Sequence, residues 1–465
     1  MPASSTRQAS SRPSASATTT CCPPPTRRQH VRFSDLSGRR VVVWGFGREG
    51  ASVTEHLRDL GVDVGVAEPD RVQGPHPDLA YGEEGRTRLL AADVVVKSPG
   101  VPVVHPLHRE LVAAGTPVTS LTDLWLNDNA ERVVAVTGTK GKSTTASLLH
   151  HLLAAAGLRS SLRGNIGTSV LAETDPPAEV VVMELSSYQA QSLTRSPRVV
   201  AVTSLFPEHL TWHGSLEAYF HDKLNAVAHG PEVVVVPAEA PEVVRRVRER
   251  VSPGTEVLLT DADGVHVDEA GDVVWPDGTR VAAPDLPLPG RHHAANIAVA
   301  LRLAGLFDIA PTTLAAALRT FAPLPHRMEP VPSGDERRWI DDSLATAPEA
   351  VVASLASLPG ERISVVVGGE DRGLDFSPLL SHLRSHPELV VLLVGPAGAR
   401  ISAEAPDLGA HLFDSFGEAV TWAGSAANPA RVVLLSPGAP SYDEFADYTE
   451  RSAAFRAAAL AADGR

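Results

Sequence analysis

A glycine-rich loop that follows a short apolar run is the segment of this chain best suited to chemistry. The run is Val133–Val136, and the loop consists of Thr137, Gly138, Thr139, Lys140, Gly141, Lys142, Ser143 and Thr144. Between a strand and a helix, such glycines let backbone N–H groups approach a polyphosphate, a lysine reaches the β- and γ-phosphates, and a hydroxyl binds Mg²⁺. A standard Walker loop would have glycine at position 136, which is valine here. The segment therefore predicts a variant ATP-binding loop.

Two more reactive side chains follow apolar runs. Glu184 comes directly after Val180–Met183, and His209 comes shortly after Val199–Thr203. The carboxyl ends of parallel strands are where α/β sheets present ligands. Taken singly, the carboxylate could cap the next helix and the histidine could be a polar surface residue. On neighbouring strands they favour a Mg²⁺ site, in which a histidine would be an unusual ligand because Mg²⁺ usually takes oxygen.

A second glycine-rich turn lies nearer the N-terminus. Gly45, Gly47 and Gly50 follow an apolar run, and a second run, Val62–Val66, ends near Glu68. This spacing is typical of one half of a Rossmann fold that binds a dinucleotide, with the carboxylate on a ribose. The motif alone leaves open whether the ligand is NAD or another nucleotide.

Composition indicates a globular protein of about three domains. The chain has 465 residues, of which 43% are hydrophobic and 21% charged, and a domain typically takes about 100–200 residues. No apolar run approaches the ~18 residues of a membrane span. The net charge of −14 argues against nucleic acid as the main partner. The only cysteines, Cys21 and Cys22, are adjacent, so they form neither a disulfide framework nor a metal site, and a reducing cytosol fits.

The first 30 residues differ from the rest of the chain. They are rich in Ser, Thr, Pro and Arg and contain no acidic residue. A transit peptide is one interpretation, but the run Pro23–Pro25 and the lack of a helical period favour a disordered leader. No apolar secretory segment is present in it, so we expect a cytoplasmic protein.

Beyond the leader, apolar runs alternate with helical stretches, which predicts parallel sheets covered by helices. A polar stretch at about 260–285 is expected to form a hairpin. A proline-rich segment at 321–327 predicts a boundary, and it is followed by a third set of strands at Ser364–Val367, Val390–Val394 and Val432–Leu435. The predicted fold is thus α/β, with a leader at 1–30, a Rossmann-like domain at 31–130, a central ATP-binding domain at 131–322 and a smaller α/β domain at 323–465.

The motif G-T-K-G-K-S-T, with G-N-I-G at 164–167 and F-P-E-H-L at 206–210, resembles the Mur ligase family. These enzymes build the peptidoglycan stem peptide, and the resemblance runs in family order from Arg39 to Ala457. Its C-terminal segments are similar to those of the MurD-type branch. The resemblance implies an ATP-dependent ligase that joins glutamate to UDP-N-acetylmuramoyl-L-alanine through an acyl phosphate, with ATP and two Mg²⁺ ions.

The same resemblance assigns the catalytic residues. It implies that Lys142 offsets the charge of the γ-phosphate and that the metal ligands are Ser143, Glu184, His209 and a carbamylated Lys223. Without the resemblance, Lys223 would be interpreted as an ordinary lysine on the surface of a helix. A bare ammonium group beside two Mg²⁺ ions would be repelled, whereas a carbamate, which is negatively charged, would not. Thr211 departs from the acidic residue that the family commonly has two positions after the histidine.

Further family positions imply substrate contacts. Besides the glycine-rich loop, ATP is expected to contact Asn296, Arg327 and Asp342, while His293 stands where a second asparagine is usual. The first domain is expected to hold the UDP of the substrate in place of NAD. The expected contacts of the UDP substrate are Gly45, Gly47, Gly50, Ser98, Gly100, Asn165, Ser186 and Ser187.

The amino-acid pocket departs most from the family. Its expected residues are Leu344, Arg372, Ser441, Tyr442 and Tyr448. A family lysine is lost at 344, but Arg372 can still clamp a carboxylate, so an acidic amino acid is predicted. The segments are similar to those of a branch that adds L-glutamate and relies on a separate epimerase. L-glutamate is therefore expected, with D-glutamate as the alternative.

Two other classes of protein are alternatives to a ligase. An NAD-dependent oxidoreductase fused to a kinase-like domain would require a hydride-transfer site, of which the sequence shows no sign. A non-catalytic scaffold would have lost Lys142, Glu184 or His209, all of which are present. An enzyme that acts as a monomer remains the expectation.

Overall fold

The computed structural model of the protein describes residues 30–71, 79–166, 168–172, 176–288, 291–322, 325–358, 360–371 and 374–462. Its strands form three large sheets, which follow one another along the chain, and one small sheet. Within these ranges, none of the helices is both long and apolar enough to cross a lipid bilayer. The predicted α/β fold class is confirmed.

The first sheet is parallel and has the order β3-β2-β1-β4-β5. Its strands are β1 (Val41–Trp44), β2 (Val64–Glu68), β3 (Ala80–Tyr81), β4 (Val94–Lys97) and β5 (Val118–Thr119). Its helices are α1 (Arg48–Asp59), α2 (Gly82–Leu90), α3 (Pro106–Ala113) and α4 (Leu121–Asn129). The strand order reverses between β1 and β4, so the loops after these strands border the crevice where such sheets bind ligands.

The second sheet is also parallel, in the order β11-β10-β9-β6-β8-β7. Its strands are β6 (Val133–Thr137), β7 (Ser160–Gly164), β8 (Val180–Glu184), β9 (Val199–Val202), β10 (Val233–Val236) and β11 (Glu256–Leu259). Its helices are α5 (Lys142–Ala155), α6 (Ser187–Ala190), α7 (Leu210–His213), α8 (Leu216–Leu224), α9 (Pro241–Arg250), α10 (Arg291–Ala304) and α11 (Pro311–Arg319). Because β6 lies between β8 and β9, the loops after these three strands meet at one edge.

The polar stretch after β11 forms more than the single hairpin predicted. It folds into three short antiparallel strands, β12 (His266–Val267), β13 (Val273–Val274) and β14 (Arg280–Val281). The Asp-Gly pair at 277–278 does form a turn, in which Gly278 N donates to Trp275 O. A second turn, closed by the bond from Gly271 N to Asp268 O, was missed because its aspartate and glycine are not adjacent.

The third sheet has the order β15-β16-β20-β17-β18-β19, with β15 antiparallel to β16 and the other pairs parallel. Its strands are β15 (Glu329–Val331), β16 (Arg338–Asp341), β17 (Ile363–Gly368), β18 (Val390–Val394), β19 (His411–Leu412) and β20 (Val432–Leu435). Its helices are α12 (Pro348–Ala356), α13 (Ser377–Ser385), α14 (Gly395–Glu404), α15 (Phe416–Gly424) and α16 (Tyr448–Ala461). Three of these strands, β17, β18 and β20, were predicted from apolar runs.

Helix α4 joins the first two sheets in one hydrophobic core. Residues 121–127 are all buried, in a cluster that also contains valines of β1, β4, β6 and β8. The buried polar groups are paired: Asp123 Oδ1 accepts the N–H of Thr194 at 2.7 Å, and Asn127 Nδ2 donates to Val31 O at 2.9 Å. The helix therefore holds the two sheets together, so that loops from both approach one cleft. The predicted domain limits remain a prediction.

Candidate active site

The glycine-rich loop after β6 has the backbone that a phosphate site requires. Gly138 has φ of 141°, and a Cβ there would lie 2.1 Å from Thr203 Oγ1. Gly141 has φ of 86°, and a Cβ there would lie 2.2 Å from Asn296 Oδ1. Both positions thus demand glycine, and the second brings the predicted nucleotide residue Asn296 against the loop. The loop ends at the N-terminus of α5, where free N–H groups favour a phosphate.

Lys142 is held over this loop. Its Nζ donates to Thr139 O at 2.9 Å. Burial, which is the largest influence, lowers the pKa of Lys142, although the charges of Glu184 and Glu208 oppose that shift. A partly desolvated cation beside open N–H groups is an arrangement that a polyphosphate would complete. Ser143 and Thr144 follow in the first turn of α5 and are half-buried.

Glu208, which the sequence analysis did not assign, pairs with the loop. Lys140 Nζ lies 2.7 Å from Glu208 Oε1, and the Lys140 backbone N–H donates to Ser204 Oγ at 2.8 Å. Burial, the largest single influence, raises the pKa of Glu208. The charge and hydrogen bond of Lys140, with the charges of His209 and Lys142, together outweigh burial, so the carboxyl pKa lies below its ordinary value. The signal was available in F-P-E-H-L, where an acid precedes the assigned histidine.

Glu184 offers a buried carboxylate oxygen at the end of β8. The residue is 1% exposed, and its Oε1 accepts a hydrogen bond from Asn165 Nδ2 at 2.8 Å. Its Oε2 is buried and has no hydrogen-bond partner among the described residues. A buried carboxylate oxygen without a donor is costly unless a cation or another donor joins it. This oxygen fits the predicted Mg²⁺ ligand.

His209 directly precedes α7 and lies in the left-handed backbone region, with φ of 54°. Its side chain is about one-third exposed, at 34%, and its ring lies 5.1 Å from that of Tyr188. Burial, the largest influence, lowers the pKa of His209 to about 4, and the charges of Lys223 and Lys142 contribute in the same direction. The imidazole is therefore neutral at physiological pH, as a metal ligand must be.

Lys223 lies on α8 and is 2% exposed. Its Nζ donates to Gly138 O at 2.8 Å and lies 5.0 Å from the centre of the Tyr219 ring. Burial, followed by the charge of Lys142, lowers the pKa of Lys223 well below its ordinary value. A neutral amine is the form that can react with carbon dioxide to give a carbamate, so the site fits the predicted modification chemically.

The structure also contains a His/Glu/Asp cluster that could hold a metal ion, away from these ligands. Within the described ranges that cluster is His326, Glu329 and Asp341. Arg456 already binds both carboxylates, and His326 Nδ1 lies 2.9 Å from Asp341 Oδ2. An arginine inside the cluster supplies the positive charge, so we interpret it as an ion-pair network that anchors the segment before β15.

In the first sheet, the glycine-rich turn packs against the loop after β4. Ser98 Oγ donates to Gly45 O at 2.7 Å, and a Cβ on Gly50 would lie 2.0 Å from the same carbonyl oxygen. Phe46 N donates to Glu68 Oε1 at 2.6 Å. Glu68, the carboxylate that would bind the ribose of a dinucleotide, is therefore hydrogen-bonded to the glycine-rich turn. Gly47 has open space around its Cα, as a nucleotide phosphate would need.

The loop after β4 is docked on the second sheet's helices. Trp212 Nε1 donates to Gly100 O at 3.4 Å, and Gln191 Oε1 accepts the N–H of Val103 at 3.4 Å. A cavity of about 210 Å³ lies between α1 and residues 164–165 and 168–170. It is lined by Glu49, Ser52, Thr122, Asn165, Ser169 and Gln189. The predicted residue Asn165 thus links this cavity to Glu184.

The two serines predicted to contact substrate, Ser186 and Ser187, form hydrogen bonds with other groups of the protein. Ser186 caps α6, because Gln189 N donates to its Oγ at 3.3 Å, and the Gln189 side chain bonds back to the Ser186 N–H. Ser187 Oγ lies 3.1 Å from His213 Nε2. The structure therefore places both near Glu184 and leaves their contact with substrate a prediction.

Arg327 connects the second and third sheets electrostatically. Burial is the largest influence on both Lys142 and Asp342: it lowers the pKa of Lys142 and raises the pKa of Asp342. The positive charge of Arg327 makes a smaller contribution, which lowers the pKa of both residues. The Arg327 Nε is buried and has no hydrogen-bond partner in the described part of the chain. Asp342 Oδ2 accepts hydrogen bonds from Ser354 Oγ at 2.5 Å and Ser436 Oγ at 3.0 Å. Arg327 is thus placed to meet a phosphate.

Four of the predicted glutamate residues, Leu344, Ser441, Tyr442 and Tyr448, lie at the carboxyl edge of the third sheet. Leu344 N donates to His326 O at 3.1 Å, and the Tyr448 ring lies 5.8 Å from that of His326. Ser441 is buried, whereas Tyr442 is 60% exposed. Arg372 lies outside the residues that the structure describes.

A buried arginine that sequence reasoning missed connects the segments of this pocket. Arg451 donates to Ser343 Oγ, Ser343 O and Ala439 O at 3.2, 3.0 and 3.1 Å. One of its nitrogens would lie 3.3 Å from a Cβ on Gly369. Burial lowers the pKa of Arg451 to about 10. No local pattern marks this residue, which lies inside an otherwise ordinary helix.

Comparisons with known proteins agree with this architecture. Residues 136–304 match the family model of the Mur ligase middle domain, and residues 326–438 match that of the Mur ligase, glutamate ligase domain. A solved structure of MurF from Acinetobacter baumannii is 17% identical and superposes with a TM-score of 0.55 over 90% of each chain, which shows the shared fold.

Two relatives are similar over nearly their full length. The chain is 42% identical to UDP-N-acetylmuramoyl-L-alanine--L-glutamate ligase of Salinispora tropica, covering 91% of this chain and 98% of the relative. It is 36% identical to the enzyme of the same name from Xanthomonas campestris pv. campestris, covering 91% and 96%. The chain belongs to the Mur ligase family, in its MurD-type branch, and is therefore an ATP-dependent, ADP-forming amide-bond ligase of peptidoglycan synthesis.

Proposed function

We propose that this enzyme joins L-glutamate to UDP-N-acetylmuramoyl-L-alanine through an acyl phosphate formed with ATP. The observation that carries the proposal is the convergence of three groups: the phosphate loop, Glu184 Oε2, which has no hydrogen-bond partner among the described residues, and Lys223, whose pKa burial lowers. Asn165, whose Nδ2 donates to Glu184 Oε1, lines the neighbouring cavity. The names of the two relatives support the choice of both substrates.

On the nucleotide side, the N-terminus of α5 and Lys142 would bind the β- and γ-phosphates. Asn296 lies against Gly141, at the position from which it would contact the nucleotide. Arg327, whose Nε has no hydrogen-bond partner in the ranges that the structure describes, would bind a phosphate oxygen from the side of the third sheet. Mg²⁺ ions, held by Ser143, Glu184, His209 and carbamylated Lys223, would offset the charge of the phosphate oxygens.

On the acceptor side, the glycine-rich turn at Gly45 would hold the UDP group, and the cavity near Asn165 would receive the alanine end. The alanine carboxylate oxygen attacks the γ-phosphorus, and ADP leaves. The amine of glutamate then attacks the acyl carbon, phosphate leaves, and the nitrogen gives up a proton as the amide forms. The loop after β4, docked by Trp212 and Gln191, would help keep water from the acyl phosphate.

The L configuration of glutamate is the most specific part of the proposal. It is supported by the relatives' names and by Leu344, which replaces the lysine that the D-glutamate pocket carries. The product would contain an L-glutamyl residue, so a D-configured stem peptide would require a separate epimerase afterwards. We place the reaction in the cytoplasm, where ATP and UDP-linked precursors are made.

The test is an assay of purified full-length enzyme with ATP, Mg²⁺ and UDP-N-acetylmuramoyl-L-alanine, in which phosphate release is measured with L- or D-glutamate. We expect release with L-glutamate and an L-glutamyl product on chiral analysis. Release with D-glutamate alone would overturn the L assignment, and release only with a diamino acid or a dipeptide would overturn the MurD-type substrate.

A further inference from the structure

A buried hydrogen-bonded chain of serine, histidine and aspartate lies behind the candidate metal site. His213 Nδ1 lies 2.7 Å from Asp222 Oδ2, and His213 Nε2 lies 3.1 Å from Ser187 Oγ. The His213 side chain is 0% exposed and that of Asp222 is 14% exposed. We call Ser187, His213 and Asp222 the relay.

The chemistry of the three groups fixes the direction of these bonds. An ionised carboxylate only accepts, so Nδ1 of His213 carries the proton that is donated to Asp222. In the neutral ring the other nitrogen, Nε2, then accepts the hydroxyl proton of Ser187. Both ring nitrogens are therefore used, and the ring cannot turn without breaking two buried bonds.

Each member of the relay is close along the chain to one predicted metal ligand. Ser187 begins α6, three residues after Glu184 at the end of β8. His213 lies one helical turn after His209, whose backbone O accepts the His213 N–H at 3.0 Å. Asp222 directly precedes Lys223 on α8.

Aromatic side chains enclose the relay. The His213 ring lies 5.6 Å from the Tyr188 ring and 5.1 Å from the Tyr219 ring. Tyr188 also packs on His209, and Tyr219 lies under the Lys223 Nζ. The relay is thus held in a low-dielectric layer that contacts His209 and Lys223, two of the four predicted metal ligands. Buried hydrogen bonds in such a layer are strong and costly to break.

We propose that this relay positions Glu184, His209 and Lys223 for the metal–nucleotide complex, and so takes the place of the acidic residue that the family has at position 211. The inference rests on the proposed metal site and is independent of which amino acid is added. Ser187, His213 and Asp222 are positioning residues in this role, because they act on the metal ligands through their neighbours; the contact of Ser187 with the UDP substrate is a separate prediction. Groups that orient metal ligands typically change metal affinity about 10–100-fold.

The test measures Mn²⁺ binding, by electron paramagnetic resonance, to full-length enzyme with a non-hydrolysable ATP analogue. Asp222→Asn and His213→Gln should weaken Mn²⁺ binding about tenfold or more, while the melting temperature and circular dichroism show a folded protein. The matched control is His221→Gln. The His221 ring also faces Asp222, with its Nδ1 3.6 Å from Asp222 Oδ1, but it is 60% exposed and is not a member of the relay. This variant should bind Mn²⁺ like the unchanged enzyme.

A double substitution tests whether the three groups act as one unit. If they do, Ser187→Ala combined with Asp222→Asn should cost little more Mn²⁺ affinity than Asp222→Asn alone. Unchanged Mn²⁺ affinity in Asp222→Asn, an equal loss in His221→Gln, or full additivity would each overturn the relay. Absence of Mn²⁺ binding by the unchanged enzyme would overturn the proposed metal site and the relay with it, whereas a failed glutamate assay with intact Mn²⁺ binding would concern the proposed function alone.

Discussion

Lys140 Nζ lies 2.7 Å from Glu208 Oε1, so an ion pair closes one side of the phosphate loop. The Glu208 side chain is 10% exposed, whereas that of Lys140 is 43% exposed. The pair therefore joins a solvent-facing cation of the loop to a buried acid that directly precedes His209. Its two members are far apart in sequence and meet because β6 and β9 are adjacent in the sheet.

Glu208→Gln should weaken ATP binding. The substitution removes the charge that holds Lys140, and a charge-assisted hydrogen bond contributes about 1.5–3 kcal/mol. We expect KM for ATP to rise roughly tenfold, with KM for the UDP substrate changed less than about twofold. Steady-state kinetics with each substrate varied in turn would measure this, and Glu239→Gln, at an exposed acid in the turn after β10, is the control. Equal effects on both KM values would contradict a role in nucleotide binding.

Gly138→Ala should damage both folding and nucleotide binding. The new Cβ would lie 2.1 Å from Thr203 Oγ1 and 2.9 Å from Ser204 N, at φ of 141°. Such backbone strain costs about 1–3 kcal/mol before the clash is counted. The matched control is Gly157→Ala, where φ is 86° and nothing lies within 4 Å, so only about 1 kcal/mol should be lost. Chemical denaturation and KM for ATP would distinguish them; similar losses would mean that the loop relaxes freely.

Lys223→Ala should lose activity about 10²–10³-fold, because it removes the anion that a carbamate would supply near the phosphates. Added formate or acetate should restore part of that activity by replacing the lost carboxylate. Lys142→Ala is the control, since a carboxylate cannot replace the cation on a phosphate and no rescue is expected. An undiminished Lys223→Ala enzyme, or equal rescue of the two variants, would contradict the carbamate.

His209 should make the metal-free fold sensitive to mild acid. Its pKa in the folded protein is about 4, below the ordinary value of 6.5, so the unfolded chain takes up a proton more readily. The folded state therefore loses stability as pH falls from about 6.5 towards about 4. His209→Asn should lose less melting temperature between pH 7.5 and 5.0 than the unchanged enzyme, with exposed His30→Asn as the control. Identical pH profiles for all three proteins would rule out this contribution.

Arg451→Met should impair glutamate binding. The substitution leaves Ser343 O and Ala439 O without their buried donor, which costs about 1–3 kcal/mol, and loosens two segments of the pocket. We expect KM for glutamate to rise at least about tenfold while KM for ATP stays within about twofold. Arg431→Met, at an exposed position of the same domain, should change neither value. A rise in KM for ATP of the same size would mean that the whole third domain is disturbed.

The site could be predicted from sequence where its residues follow apolar strands. The structure places Glu184 at the end of β8 and Gly138 and His209 in the loops after β6 and β9, at one edge of the second sheet, as the strand pattern predicted. Their metal and nucleotide contacts remain predictions, as do those of Ser186 and Ser187, whose side chains bond to protein groups here. Strands β15 and β16 and the second turn of the small sheet were missed because they lack a strong apolar or Asp-Gly signal.

Sequence by itself determined the elements and the family. Runs of valine specify buried strands, and glycine spacing specifies turns, because both depend on local backbone preferences and on burial of neighbouring side chains. Tertiary structure alone decided the pairing of Lys140 with Glu208, the relay behind His209 and the burial of Arg451. Each of these joins residues from separate elements, and such contacts depend on the order in which strands pack, which no short pattern of residues encodes.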